Sequence, residues 1–176
     1  MAKPLKVKRV TPQDPADLAT SRILRTRLKE FYSHWPDPDV PATAEIVHNT
    51  RISGKRLRYS AESLRLLYRD RLALLVELLR KEQDLMGKYQ DAISQRTAIE
   101  TELARRVRRR AGEAEQEALG RLIATYREKE ERIYEELALV WRGITSKKFR
   151  ASLRSMISKT DKTAKTAKTA NTANTE

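Results

Sequence analysis

The chain contains no cysteine. Disulfide frameworks, thiolate metal sites and cysteine nucleophiles are therefore excluded. Histidine is almost as scarce, with two in 176 residues, which leaves little for a histidine-based metal centre. Five glycines and six prolines are too few for collagen-like order or general low complexity. Aromatic residues make up only 6% of the chain, too few to argue a stacking platform for single-stranded nucleic acid. Long hydrophobic runs are also missing. The longest, Leu72 to Leu79, is interrupted by Glu77 and is far too short to cross a bilayer. The basic N-terminus MAKPLKVKRV has no apolar stretch of a secretory signal, so a soluble cytoplasmic protein is expected.

What the chain has is positive charge. Lys and Arg total 37 against 24 Asp and Glu, a formal net charge of +13. Such an excess points to a polyanionic partner: nucleic acid, inorganic polyphosphate or an acidic membrane surface. Apolar residues, at 39%, suffice for one core.

Residues 1–13 read as a basic flexible arm, marked by Pro4 and Pro12. Residues 159–176 end in the repeat KTA, KTA, KTA, NTA, NTE. With no large apolar side chain, that tail cannot offset its ordering entropy by burial and is expected to be disordered. One helical domain is left, residues 14–158. Asp14, Pro15 and Asp17 supply an N-cap, a first-turn proline and a first-turn acid. Leu24, Leu28, Phe31, Tyr32 and Trp35 then share one helical face, and Trp35-Pro36-Asp37-Pro38 ends the helix. A second helix is expected from Asp39 and Pro41 to about Tyr68, with Ile46, Leu57, Leu64 and Leu67 on its packing face. A third covers about 71–108, a break falls near 110–112, a fourth spans 113 to about 142, and a short one about 147–157. No alternating strand pattern occurs. The expected fold is all-α, an antiparallel helical bundle of about four long helices plus a short C-terminal helix.

The informative stretch is His48-Asn-Thr-Arg51-Ile-Ser-Gly-Lys55-Arg56-Leu-Arg58-Tyr59. At about 100° per residue, His48, Arg51, Lys55 and Arg58 share a sector of about 80°. Residues 51–58 carry four cations and no acid. Like charges at i,i+4 repel, so an anion lying along this face would relieve the helix. Arg offers a planar fork to phosphate oxygens and Lys a mobile point charge. For the charge alone, a solvated basic face is the competing reading, and for His48 a packed structural role. Arg22, Arg25 and Lys29 repeat the spacing on the first helix, next to Tyr32, so two helices side by side would make one basic groove. Arg105, Arg106, Arg108, Arg109 and Arg110 surround their helix and suit a helix C-terminus. Lys147, Lys148 and Arg150 precede the last helix and would extend a basic surface. Glu128, Glu130, Glu131, Glu135 and Glu136 form an acidic region interleaved with Lys129 and Arg132, which reads as surface ion pairs.

The segment H-x-x-R-I-x-x-K-R-L-R-Y, residues 48–59, resembles the signature of the CHAD domain, the conserved histidine α-helical domain. Ser60-Ala-Glu-Ser-Leu64 resembles the continuation of that helix, and Leu85-Met-Gly-Lys-Tyr-Gln-Asp91-Ala92 a later segment of the same family. The resemblance covers roughly residues 40–142, with a helical lead-in at 15–35. It implies an all-helical protein that binds inorganic polyphosphate through a basic surface, and some family members associate with polyphosphate granules. From the residues themselves no catalysis, cofactor or metal is expected. Carried over by position, His48, Arg51, Lys55, Arg56 and Arg58 are polyphosphate-binding candidates, joined by Arg22, Arg25 and Lys29 from the residue pattern above. Asp91 is expected to pair with a cation of the motif helix. Family members usually contain two related halves, whereas this chain carries one His-Arg helix. It is similar to a half-size member, and a homodimer placing two His48 helices across one groove is expected, with a monomer carrying a shallower, weaker site as the alternative. Non-specific nucleic-acid binding through the basic surface and tail is the alternative. No RNP, helix-turn-helix, P-loop or nucleophile-elbow pattern appears.

Overall fold

The computed structural model describes residues 3–34, 43–110 and 112–158. Trp35, Asp39, Pro41 and the tail 159–176 lie outside the described residues, as do the expectations that rest on them. Among the described residues the regular structure is helical, and no strand occurs. The first helices in chain order are α1 Ala16–His34, α2 Ala44–Ser63, α3 Arg65–Tyr68, α4 Ala73–Arg108 and α5 Glu113–Thr145. A 3₁₀ turn at Arg69–Leu72 joins α3 to α4. A last helix, α6, spans 147–158. The all-α class expected from the sequence is the class observed.

The chain divides into two compact units. The first comprises Met1–Lys81 and Trp141–Glu176, the second Glu82–Val140.

In the first unit α1 packs on α2, and Leu24, Leu28 and Phe31 on one face of α1 are all buried. Val47, Leu57 and Ala61 of α2, Leu75 and Leu79 of α4, and Leu153 and Ile157 of α6 are buried as well. Phe31 stacks on Trp141 with ring centroids 5.0 Å apart, and neither ring is exposed. The start of α1 differs in detail from the cap expected at Asp14. The Asp14 carboxylate instead accepts the Thr11 amide at 2.7 Å and Arg22 Nη1 at 3.1 Å, closing a turn in the segment before the helix. That segment is tied to α1 at further points: the Leu5 amide donates to Glu30 Oε2, Arg27 donates to the Leu5 carbonyl, and Arg22 donates to the Arg9 carbonyl.

Thr43 caps α2, its hydroxyl accepting the Ile46 amide at 3.3 Å. The second helix does not run unbroken to Tyr68. It ends at Ser63, and Arg69 reverses the chain with φ 49° and ψ −136°. The break rotates the downstream residues off the α2 face, so Leu67 is exposed rather than packed with Leu57. Ser146 caps α6 by accepting the Phe149 amide at 3.2 Å.

The second unit is a helical hairpin of α4 and α5. Tyr89 meets Tyr134, Arg96 bonds Glu130, Arg127 bonds Glu100 and Arg106 bonds Glu115. Partner numbers fall on α5 as they rise on α4, so the helices are antiparallel. Leu85, Met86, Ala92, Ile123, Ile133 and Leu137 are buried in this unit. The turn uses a left-handed residue at Arg110, φ 56°, while the carbonyl of Gly112 accepts the first amides of α5.

Candidate anion-binding surfaces

The cations of α2 fall into two groups, and burial of the helix decides which. The buried positions Val47, Thr50, Ser53, Leu57 and Ala61 define its packed face. Arg56 lies about 80° round from His48, on one flank of that face, and Arg51 lies about 300° round, on the other. The Arg56 flank meets α1. There Glu30 has no exposed side-chain surface and accepts Arg56 Nη1 and Arg27 Nη1, each at 2.5 Å. Burial works against the Glu30 carboxylate, yet hydrogen bonds from Arg56, Arg27 and the Leu5 amide outweigh it and hold the group below its ordinary value. Arg56 is thus engaged in joining α1 to α2.

Arg58 lies on the other flank and is partly neutralised. Its Nη1 donates to Glu62 Oε1 at 3.1 Å, its guanidinium sits 4.5 Å from the Tyr59 ring centroid, and Glu62 also accepts Arg80 Nη2 at 2.8 Å. Burial again opposes the Glu62 carboxylate, but the Arg80 and Arg58 contacts prevail and lower its pKa.

His48, Arg51 and Lys55 remain. None of the three has an acid partner among the described residues. His48 is exposed, while Arg51 and Lys55 are half-buried. Arg51 Nε is shielded from solvent and has no hydrogen-bond partner among the described residues. Residues 48, 51 and 55 are spaced about 4.5 and 6 Å along the axis, a row of three donors on one edge.

The α1 cations have a different neighbour from the one expected. Arg22 is bound by Asp14. Arg25 and Lys29 line a groove whose opposite wall is α6, not α2. Arg150 and Arg154 of α6 line it too, and Arg25 Nη2 donates to Ser158 Oγ at 3.3 Å. The sequence marks Arg150 as an extension of the basic surface, while Arg154 was missed. Its signal was available: positions 150, 154 and 158 recur at i,i+4 on one face of α6.

Glu30, the acid that organises the α2 cations on one flank, was also missed. It stands in an otherwise basic stretch of α1, and only the packing of two helices brings it to Arg56. Asp91 is exposed on the hairpin unit and makes no ion pair within it. Arg105 and Arg106 pair with Glu102, and Arg106 also with Glu115. The Glu102 carboxyl is lowered to about 2, first by the Arg105 hydrogen bond and then by that from Arg106. Glu130 in the acidic region of α5 is engaged by Arg96 at 2.6 Å. Among the described residues no three His, Asp or Glu side chains gather to hold a metal ion, and no helix is long and apolar enough to cross a membrane.

Comparison with protein-family models matches residues 2–100 to the model described as CHAD domain, more than half of the chain. The match takes in the N-terminal segment, α1 and α2, and stops within α4. No curated protein and no solved structure matches the chain.

Proposed function

The chain belongs to the CHAD domain family, and on that premise we propose that it binds inorganic polyphosphate along the outer edge of α2, without catalysis. His48, Arg51 and Lys55 are the contacts, with Arg58 as a partly neutralised neighbour. Arg56 and Arg22 act as structural ion-pair partners. The observation that carries this reading is the sorting of cations on α2. Glu30 and Glu62 engage Arg56 and Arg58, while His48, Arg51 and Lys55 on one edge have no acid partner among the described residues. A linear polyanion with one charge per phosphate matches a linear row of donors. Counterion release drives such binding, so it weakens steeply with salt. A homodimer that sets two α2 edges across one groove completes the reading. The exposed Tyr59, Leu66, Leu67 and Leu74 in the first unit offer apolar surface for it. Residence at polyphosphate granules follows from the same affinity.

The test is a competition titration against labelled long-chain polyphosphate, with duplex DNA as competitor at equal phosphate concentration and near-physiological salt. Polyphosphate is expected to bind at least about tenfold tighter, about 1.4 kcal/mol. Lys55→Glu and Arg51→Glu should each weaken binding more than removal of residues 159–176. Equal competition by DNA, or equal losses from the tail and the α2 edge, would replace this reading with diffuse attraction of nucleic acid. Light scattering reads the dimer directly, as twice the 20.3 kDa chain mass.

A further inference from the structure

The groove between α1 and α6 is chemically unlike the α2 edge. It encloses about 620 Å³, a size typical of small-molecule sites, about 300–1,000 Å³. Leu28 and the half-buried Tyr32 give it apolar surface, Leu153 and Ile157 being almost fully buried, and Arg25, Lys29, Arg150 and Arg154 supply cations around it. No carboxylate lines it among the described residues. Its walls are held in place. The Tyr32 hydroxyl donates to the Ile144 carbonyl at 3.1 Å, and the Arg150 guanidinium lies 4.2 Å from the Tyr32 ring centroid. Burial pushes the Tyr32 hydroxyl up to about 12 against the pull of Arg150 and Arg154, so it stays a donor.

A bare polyanion has nothing to lay on apolar surface, and an uncharged apolar molecule leaves four cations unanswered. The two features together ask for one ligand with a flat apolar-faced body joined to several negative charges. A nucleoside triphosphate has both. Its base has faces that bury against apolar side chains or under a guanidinium plane, and its triphosphate, with about four negative charges at neutral pH, matches the four cations. We propose that the α1/α6 groove binds a nucleoside triphosphate, the base on Leu28 and Tyr32 and the phosphates on Arg25, Lys29, Arg150 and Arg154. The inference does not rest on polyphosphate binding, because the groove and the α2 edge share no residue.

The experiment is isothermal titration of the full-length protein with ATP, inorganic tripolyphosphate and adenosine in parallel. Tripolyphosphate carries the charge without the base, and adenosine the base without the charge. ATP is expected to bind once per chain and at least about tenfold tighter than either comparator, about 1.4 kcal/mol. Arg154→Glu and Lys29→Glu each should cut ATP affinity at least tenfold. Both residues are exposed and lack an acid partner among the described residues, so circular dichroism should show an unchanged fold. Tripolyphosphate binding as tightly as ATP would overturn the proposal, since the apolar surface would then contribute nothing. So would ATP affinity that neither substitution changes, or no ATP binding at millimolar concentration. Failure of the polyphosphate reading would appear in the long-chain titration and the α2 variants, neither of which enters this test.

Discussion

Glu30→Ala is the substitution whose outcome the structure determines most closely. The side chain has no exposed surface and binds three donors: Arg27 and Arg56 at 2.5 Å and the Leu5 amide at 3.2 Å. Removing one partner from a buried ion pair costs about 3–5 kcal/mol, because the remaining charge is left uncompensated. Here Arg27 and Arg56 keep 18% and 26% of their side-chain surface, so water takes up part of their charge. The expected loss therefore lies at the lower end, about 3 kcal/mol. With a urea slope of about 2 kcal/mol/M, the unfolding midpoint falls by about 1.5 M. Glu30→Gln keeps one acceptor and loses the charge, and should cost about half as much. The pH dependence has a definite sign. Glu30 is held below its ordinary value of 4.5, so its contribution is full above that pH and is lost as pH falls through the folded value. The gap between wild type and Glu30→Gln should be widest near pH 6 and narrow toward pH 3. Hydrogen exchange gives an independent readout, since the Leu5 amide should lose protection in Glu30→Ala. A loss below about 1 kcal/mol, or a gap indifferent to pH, would refute the assignment of Glu30 as the buried link between α1, α2 and the N-terminal segment.

Phe31→Ala removes a fully buried ring stacked on Trp141 and should destabilise by about 3–5 kcal/mol in urea melts. Tryptophan fluorescence should report the change at that contact. Arg69 sits at φ 49°, ψ −136°, a region that favours glycine. Arg69→Gly should therefore stabilise the fold by about 1 kcal/mol, the relief of strain exceeding the entropy that glycine adds to the unfolded chain. Glu62→Gln relieves Arg58 and Arg80 of their shared carboxylate and should raise polyphosphate affinity by about threefold to tenfold, with a steeper salt dependence.

The sequence was most legible where a pattern is local. Hydrophobic spacing located α1, α4, α5 and the last helix to within a few residues, because each repeats the helical period over several turns. The end of the second helix was not legible. Leu64 and Leu67 continue the apolar period, and no glycine or proline stands between Arg65 and Leu72 to mark the reversal at Arg69. The left-handed residue of the hairpin turn was also hidden, since Gly112 stands nearby while Arg110 takes the conformation. Site residues divided along the same line. Arg51 and Lys55 could be grouped by angle on a single helix. The Glu30–Arg56 pair and the opposition of Lys29 to Arg150 and Arg154 need two helices in contact, and no spacing within one helix encodes either.

That division gives adjacent residues opposite roles. Lys55 and Arg56 are neighbours in one basic run, yet they point about 100° apart on the helix. Arg56 turns to a buried carboxylate, while Lys55 has no acid partner among the described residues. Charge reversal should therefore separate them. Arg56→Glu sets a second carboxylate against Glu30 in a nearly dry site, so stability should fall by about 3 kcal/mol or more. Under conditions where that variant remains folded, its polyphosphate affinity should stay near wild type. Lys55→Glu should leave the unfolding midpoint within about 0.5 kcal/mol of wild type, as for a surface substitution. It should lower polyphosphate affinity and flatten the salt dependence by about one phosphate contact. Urea melts and salt-dependent titrations on the two variants provide the comparison. Equal losses of affinity with no change in either midpoint would mean that the basic run acts as one patch of charge, and that packing against α1 does not sort its cations.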